Sequence, residues 1–222
     1  MRKLFLTSEG LVSEVREYFV EMILKKPEDT KIVFIANAGD VESDKAYIEE
    51  DKRLIEDMGF LLGEIDLKQE SENSLREKID GFDAVFVEGG NTFYLLDLVR
   101  KSGFDKVLIE FLDKGKIYVG VSAGSILVGP DIKSALWQDV GEYPDKDIVG
   151  LKDSKGLGIV PFAVSPHILP QHLDALRKRV KEVNYPVVSL TDKQAVKVIG
   201  DKYEIVGEGE KLVYNNVNNL SF

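Results

Sequence analysis

Two glycine-containing turns and two histidines hold most of the chemistry this sequence can offer. Gly120-Val121-Ser122-Ala123-Gly124 closes the apolar run Ile117–Val121 and precedes the helical stretch Ser125–Val128. A Gly-x-Ser-x-Gly pattern between strand and helix is the signature of a nucleophile elbow. Small residues at 120 and 124 let strand and helix approach and lift Ser122 into the open. The Ala123 amide then lies at a helix start, aimed where an oxyanion would form. The same residues also suit a packing turn in which Ser122 only caps the helix.

The second turn, Glu88-Gly89-Gly90-Asn91-Thr92, follows the run Ala84–Val87 and opens a helix at Phe93. Paired glycines let the backbone pass close to a ligand. The Gly90 amide is a candidate second oxyanion donor. Asn91 or Thr92 can cap the helix, and Asn91 is a candidate substrate contact. A plain capped turn is the other reading of this segment.

A serine hydroxyl is a poor nucleophile until a base takes its proton. The chain has two histidines. His167 lies in Ser165-Pro166-His167, just past the apolar segment Phe162–Val164, with Pro161 and Pro170 to stiffen the loop. It is the candidate base. His172 opens the helical stretch Leu173–Val180 and reads as a solvated first-turn residue. The acid that orients the base is expected between Ser122 and His167 in the chain, as in other elbow enzymes.

The remaining motifs do not hold. There is no Walker loop, and Gly156-Leu157-Gly158-Ile159-Val160-Pro161 breaks the dinucleotide pattern at its last position. Asp145-Lys146-Asp147 departs from a calcium loop at Val149 and Gly156. His167 and His172 do not have zinc-helix spacing. No metal and no cofactor are expected. Trp137 reads as packing or a pocket wall.

The elements that must position these residues alternate. Lys3–Leu6, Lys31–Ala36, Leu61–Leu67, Ala84–Val87 and Ile117–Val121 read as strands. Helical spacing runs through Val12–Ile23, Tyr47–Met58, Leu75–Ile79, Phe93–Arg100 and Lys106–Leu112. Unbroken apolar strands between helices predict an α/β fold, a three-layer sandwich with a mostly parallel central sheet and helices on both faces. Val187–Leu190, Ala195–Ile199 and Tyr203–Val206 are short strands, with a hairpin signal at Gly200-Asp201-Lys202, so the sheet should end in an antiparallel C-terminal edge. No linker divides residues 1–222, which read as a single domain. Ligands of such sheets bind outside the carboxyl ends of the strands, which is where both turns fall.

Composition narrows the partners. Lys+Arg is 29 against Asp+Glu 39, a net charge of −10, which disfavours nucleic acid and an anionic membrane surface. The absence of cysteine excludes disulfides, thiolate metal sites and a cysteine nucleophile. No apolar run approaches the ~20 residues of a membrane span, and the first residues lack the apolar stretch of a signal peptide. A cytoplasmic protein is expected.

Phe86-Val87-Glu88-Gly89-Gly90-Asn91-Thr92-Phe93, then Gly120-Val121-Ser122-Ala123-Gly124-Ser125, then Ser165-Pro166-His167, together resemble the dipeptidase E (aspartyl dipeptidase) family of serine peptidases. The resemblance covers nearly the whole chain. The family is related to class I glutamine amidotransferases, which carry cysteine at the elbow; serine stands here, so thiolate amidotransfer is excluded.

The resemblance implies Ser122 as nucleophile, His167 as base, and the amides of Gly90 and Ala123 as the oxyanion hole. It implies a small-peptide substrate: the best-known members take Asp-Xaa dipeptides, and a related branch cleaves cyanophycin. Where the dipeptidases have an aspartate fifteen residues after the serine, this chain has Trp137. Asp139 is the expected acid, with Glu88 behind it; Glu142, Asp145 and Asp147 read as solvated. The expectation is a serine peptidase without cofactor, monomer or homodimer. A cyanophycinase-like hydrolase or esterase with the same site, and an inactive binding or regulatory homologue, are the alternatives.

Overall fold

Strand β4 (Ala84–Val87) shows how the sheet is built: Val85 and Val87 pack on one face, Ala84 and Phe86 on the other, all fully buried. A strand apolar on both sides must be covered on both sides. The computed structural model describes residues 1–137, 140, 145–215 and 220. Its strands β1 (Lys3–Thr7), β2 (Lys31–Ile35), β3 (Leu61–Glu64), β4 and β5 (Ile117–Val121) pair in parallel, in the order β3-β2-β4-β5-β1. Helices α1 (Arg16–Val20) and α2 (Ala46–Asp57) cover one face, burying Phe19, Ile48 and Ile55 against Phe5, Phe34 and Phe86. Helices α3 (Glu72–Ile79), α4 (Thr92–Ser102), α5 (Phe104–Asp113) and α6 (Ala123–Leu127) cover the other. The three-layer sandwich is as expected.

So is the antiparallel edge. β8 (Gln194–Ile199) runs antiparallel to β1 and β9 (Lys202–Gly207) antiparallel to β8. Two local readings change. The helical spacing over Val12–Ile23 yields only Arg16–Val20 as α-helix. The strand expected over Leu61–Leu67 stops at Glu64, because the Asp66 side chain accepts the Lys68 amide and starts a tight helical turn.

The larger change is a second, three-stranded sheet. β6 (Ala163–Ser165) pairs in parallel with β7 (Val187–Ser189), which pairs antiparallel with β10 (Leu212–Tyr214). The run at Val187 therefore lies outside the main sheet. Between β6 and β7, helix α7 (Leu173–Arg179) buries Leu176 in a satellite cluster with Ile168, Val187 and Trp137. Trp137 is packing, as read.

Candidate active site

The elbow is held by close backbone contact. A Cβ at Gly124 would stand 2.3 Å from the Val87 carbonyl oxygen, and one at Gly120 2.6 Å from the Gly124 carbonyl. Only glycine lets β4, β5 and α6 meet this closely. Tyr118 Oη donates to the Gly124 carbonyl at 2.7 Å, and Ser125 Oγ lies 2.8 and 2.7 Å from the carbonyls of Thr7 and Gly120. Between these braces Ser122 takes φ 46° and ψ −105°, a conformation that costs about 1–3 kcal/mol in a non-glycine residue and persists only when the surroundings enforce it.

The neighbouring turn is equally tight. Gly90 has φ 125°, and a Cβ there would strike the Ala38 carbonyl at 2.4 Å. A Cβ at Gly89 would sit 3.3 Å from Ser122 Cβ, so the two turns abut at the carboxyl edge of the sheet. Asn91 caps α4: its Oδ1 accepts the Tyr94 amide at 3.0 Å, and its Nδ2 donates to the Lys146 carbonyl at 3.1 Å. Asn91 lines the cleft with its side chain committed to the protein on both ends.

His167 is brought in from the small sheet, at the turn after β6. Its Nε2 lies 2.9 Å from Ser122 Oγ and its Nδ1 2.7 Å from Asp192 Oδ1. With Asp192 ionised, Nδ1 carries the proton and Nε2 is free to accept from the serine. Burial disfavours the Asp192 charge, but the hydrogen bond and charge of His167, with help from Ser8, outweigh it and hold the carboxyl below its ordinary range.

Ser8 ties the group together. Its hydroxyl donates to Asp192 Oδ1 at 2.9 Å and accepts the His167 amide at 2.8 Å. That second bond anchors the His167 backbone at φ 57°. His172 stands apart, its Nδ1 accepting the Leu169 amide at 3.2 Å.

Four carboxylates need restating. Asp139, the expected acid, lies outside the described residues. Asp192, on the turn between β7 and β8, follows His167 in the chain, contrary to the expected order. The signal that could have singled it out is its position just past a buried strand, Val187–Leu190. Glu88 does not serve His167 here: it is buried, and its Oε1 accepts the Gly89 amide at 2.6 Å. Burial, then the Asp51 charge, push its pKa far up. Asp145 is not solvated: its Oδ2 accepts the Thr92 amide at 2.8 Å, and burial pushes its pKa up to about 6.

These residues border a cleft of about 740 Å³. Glu9 Oε2 approaches to 3.6 Å from His167 Nδ1, and ligand atoms of Glu9, His167 and Asp192 lie within 4.8 Å of one another. A cation bound there would have to displace the Nδ1 proton that Asp192 accepts.

A model of peptidase family S51 matches residues 4–206. The chain belongs to peptidase family S51. It is therefore a peptidase, a hydrolase, and the dipeptidase E resemblance of its motifs holds. An uncharacterized peptidase of Listeria monocytogenes is 34% identical over 167 residues, covering 75% of this chain and 78% of the relative. Peptidase E of Shewanella denitrificans is 28% identical over 210 residues, 90% of this chain and 84% of the relative. The crystal structure of a candidate peptidase E protein from Listeria monocytogenes has a TM-score of 0.80 at 28% identity, covering 94% of this S51 chain and all of the other. Among the described residues no helix is long and apolar enough to cross a membrane.

Proposed function

We propose that this S51 peptidase hydrolyses small peptides by a serine mechanism, with Ser122 as nucleophile, His167 as general base and Asp192 as the acid behind it. The observation that carries this reading is the chain of contacts Ser122 Oγ–His167 Nε2–His167 Nδ1–Asp192 Oδ1 at 2.9 and 2.7 Å. Both contacts are within the reach that activation requires.

Ser122 Oγ attacks the scissile carbonyl carbon as its proton passes to His167 Nε2. Asp192 holds the imidazole in the productive tautomer and stabilises the imidazolium that forms. The amides of Gly90 and Ala123 receive the oxyanion; that of Ala123, first in its helix, has no acceptor within the helix. His167 then protonates the leaving amine, and water repeats the cycle on the acyl-enzyme. No cofactor takes part. An aspartate preference, as in the best-known dipeptidases, would call for a cation beside the acyl group. Among the described residues, Lys146 is the one Lys or Arg lining the cleft, and it is exposed.

The test is covalent. A fluorophosphonate should add once per chain, and peptide mapping should place the adduct on Ser122. An unmodified serine after prolonged exposure of the folded protein would remove the reading.

A further inference from the structure

The proposed mechanism uses one carboxylate behind His167, but two face its Nδ1. Asp192 Oδ1 lies 2.7 Å from that nitrogen and Glu9 Oε2 3.6 Å from it. The two are held differently. Asp192 receives both its donors, the imidazole and the Ser8 hydroxyl, on one oxygen. Glu9 is placed through its backbone. On one side of it, the Ser8 hydroxyl accepts the His167 amide at 2.8 Å. On the other, Gly10 turns at φ 47° against Asp51, where a Cβ would stand 2.6 Å from both carboxyl oxygens. Between these fixed neighbours the Glu9 side chain, 54% exposed, reaches back to Nδ1.

Ionised Glu9 and Asp192 repel each other while His167 is neutral. When Nε2 takes the Ser122 proton, the imidazolium charge stands next to both, and attraction offsets the repulsion. A charged Glu9 therefore does more for the imidazolium of the transition state than for the resting imidazole, which is the condition for accelerating the step. Partial burial pushes the Glu9 pKa up, the His167 charge draws it down, and the charges of Asp192, Asp51 and Glu50 push it up. Formation of the imidazolium thus favours the charged form of Glu9. Asp145, at the start of α4, and Glu88, after β4, also bear on the pair.

We propose that Glu9 is a second positioning carboxylate for His167, which stabilises the imidazolium alongside Asp192 and accepts the Nδ1 proton's hydrogen bond when Asp192 is removed. The proposal rests on the reading of Ser122 as nucleophile and His167 as base. Replacing Asp192 requires Glu9 Oε2 to move about 0.8 Å closer to Nδ1, a short step for a half-exposed, unbranched side chain.

The rate at which a fluorophosphonate labels the full-length protein reads the action of the base without a known substrate. The Ser122 Oγ–phosphorus bond forms, fluoride leaves, and the serine proton passes to His167 Nε2. Glu9→Gln should slow labelling about 3- to 10-fold at low salt, as expected for a half-exposed charge pair. Salt at about 0.5 M should shrink that factor by screening. The acid limb of the labelling rate should move to lower pH by about half a pH unit, because an imidazole that loses a negative neighbour is easier to keep neutral. In Asp192→Ala protein Glu9 is the carboxylate left at Nδ1, and adding Glu9→Gln should slow labelling by a further factor of about 10 to 100. Should Asp192→Ala fail to fold, the pH and salt responses of Glu9→Gln decide alone. An acid limb that stays in place, or a loss no larger without Asp192 than with it, overturns the proposal while labelling at Ser122 keeps the serine reading. Absent labelling of the unsubstituted protein removes the serine reading, and this proposal with it.

Discussion

The two halves of the proposed site, the nucleophile half around Ser122 and the base–acid half of His167 and Asp192, are assembled by different means. Residues 84–128 build their half from consecutive strand–turn–helix units, with each turn at the end of its own strand. Glycines at 90, 120 and 124 are required by backbone contacts within or next to the unit that contains them. The other half joins Ser8, His167 and Asp192, from the ends of β1, β6 and β7, across two sheets. The difference teaches that a candidate nucleophile can be positioned by strand–turn–helix geometry, whereas its proposed base and acid are positioned by packing between distant segments. Strain marks both halves, at Ser122 and at His167. In one it is held by Tyr118, Gly120 and Ser125 together with the Thr7 carbonyl, in the other by the Ser8 hydroxyl.

Substitutions can break or sharpen this contrast. Ser122→Ala should lose on the order of 10⁶ in turnover, measured on a small-peptide panel, with the elbow and the melting temperature preserved. His167→Ala should lose nearly as much, because nucleophile and base act as a unit. His172→Ala should stay close to wild type, since that imidazole accepts the Leu169 amide and stands apart from Ser122. The reverse ranking of the two histidines would dismantle the base–acid half as described.

Asp192→Asn keeps the shape and removes the charge behind His167. It should lower kcat by up to about 10⁴ while fluorophosphonate labelling slows rather than vanishes. Asp139→Asn is its control, and a loss confined to that variant would move the acid back to Asp139. Ser8→Ala removes one donor to Asp192 and one acceptor for the His167 amide. A loss of about 10- to 100-fold in kcat with little change in KM is expected. An unchanged kcat would mean that His167 holds its left-handed backbone without help.

The smallest effect belongs to the nucleophile half and concerns stability. Burial pushes the Asp145 pKa up to about 6. Its stabilising contribution is thus full in acid and lost as pH rises through about 6. Asp145→Asn keeps an acceptor for the Thr92 amide and cannot ionise. Relative to wild type it should gain stability between pH 5 and pH 8, by no more than about 3 kcal/mol, read by denaturant titration at both pH values. A gain in the opposite direction would mean that ionised Asp145 is stabilised by its place at the start of α4.

Much of the fold and half of the site were legible in the residues alone. The parallel strands announce themselves as unbroken apolar runs, because a strand covered on both faces has no polar side to show. The Gly-x-Ser-x-Gly and Gly-Gly-Asn-Thr turns are legible because the contacts that demand glycine there are made within one strand–turn–helix unit or with the next strand. His167 could be chosen over His172 by its rigid Ser-Pro-His setting. Asp192 could not, because nothing in Thr191-Asp192-Lys193 distinguishes an aspartate on a surface turn from one facing an imidazole 25 residues away in the chain.

Tertiary structure decided the rest, for one physical reason: what a carboxylate does depends on what is folded against it. Asp145 lies in a charged, Gly/Pro-containing stretch that reads as solvated, yet folding sets it on the first amide of α4 and half-buries it. Glu88 reads as a spare acid for the triad, yet the approach of α2 gives it Asp51 as neighbour and turns it to the wall of the cleft. Val187–Ser189 has the apolar run of a main-sheet strand, but its edges pair with β6 and β10, and that pairing carries Asp192 to His167. Sequence determined where backbone must turn sharply and which residue stands on the turn, since glycines at such turns show in the residues themselves wherever in the chain the atoms that crowd them lie. Which charges meet was determined only when the two sheets closed on each other.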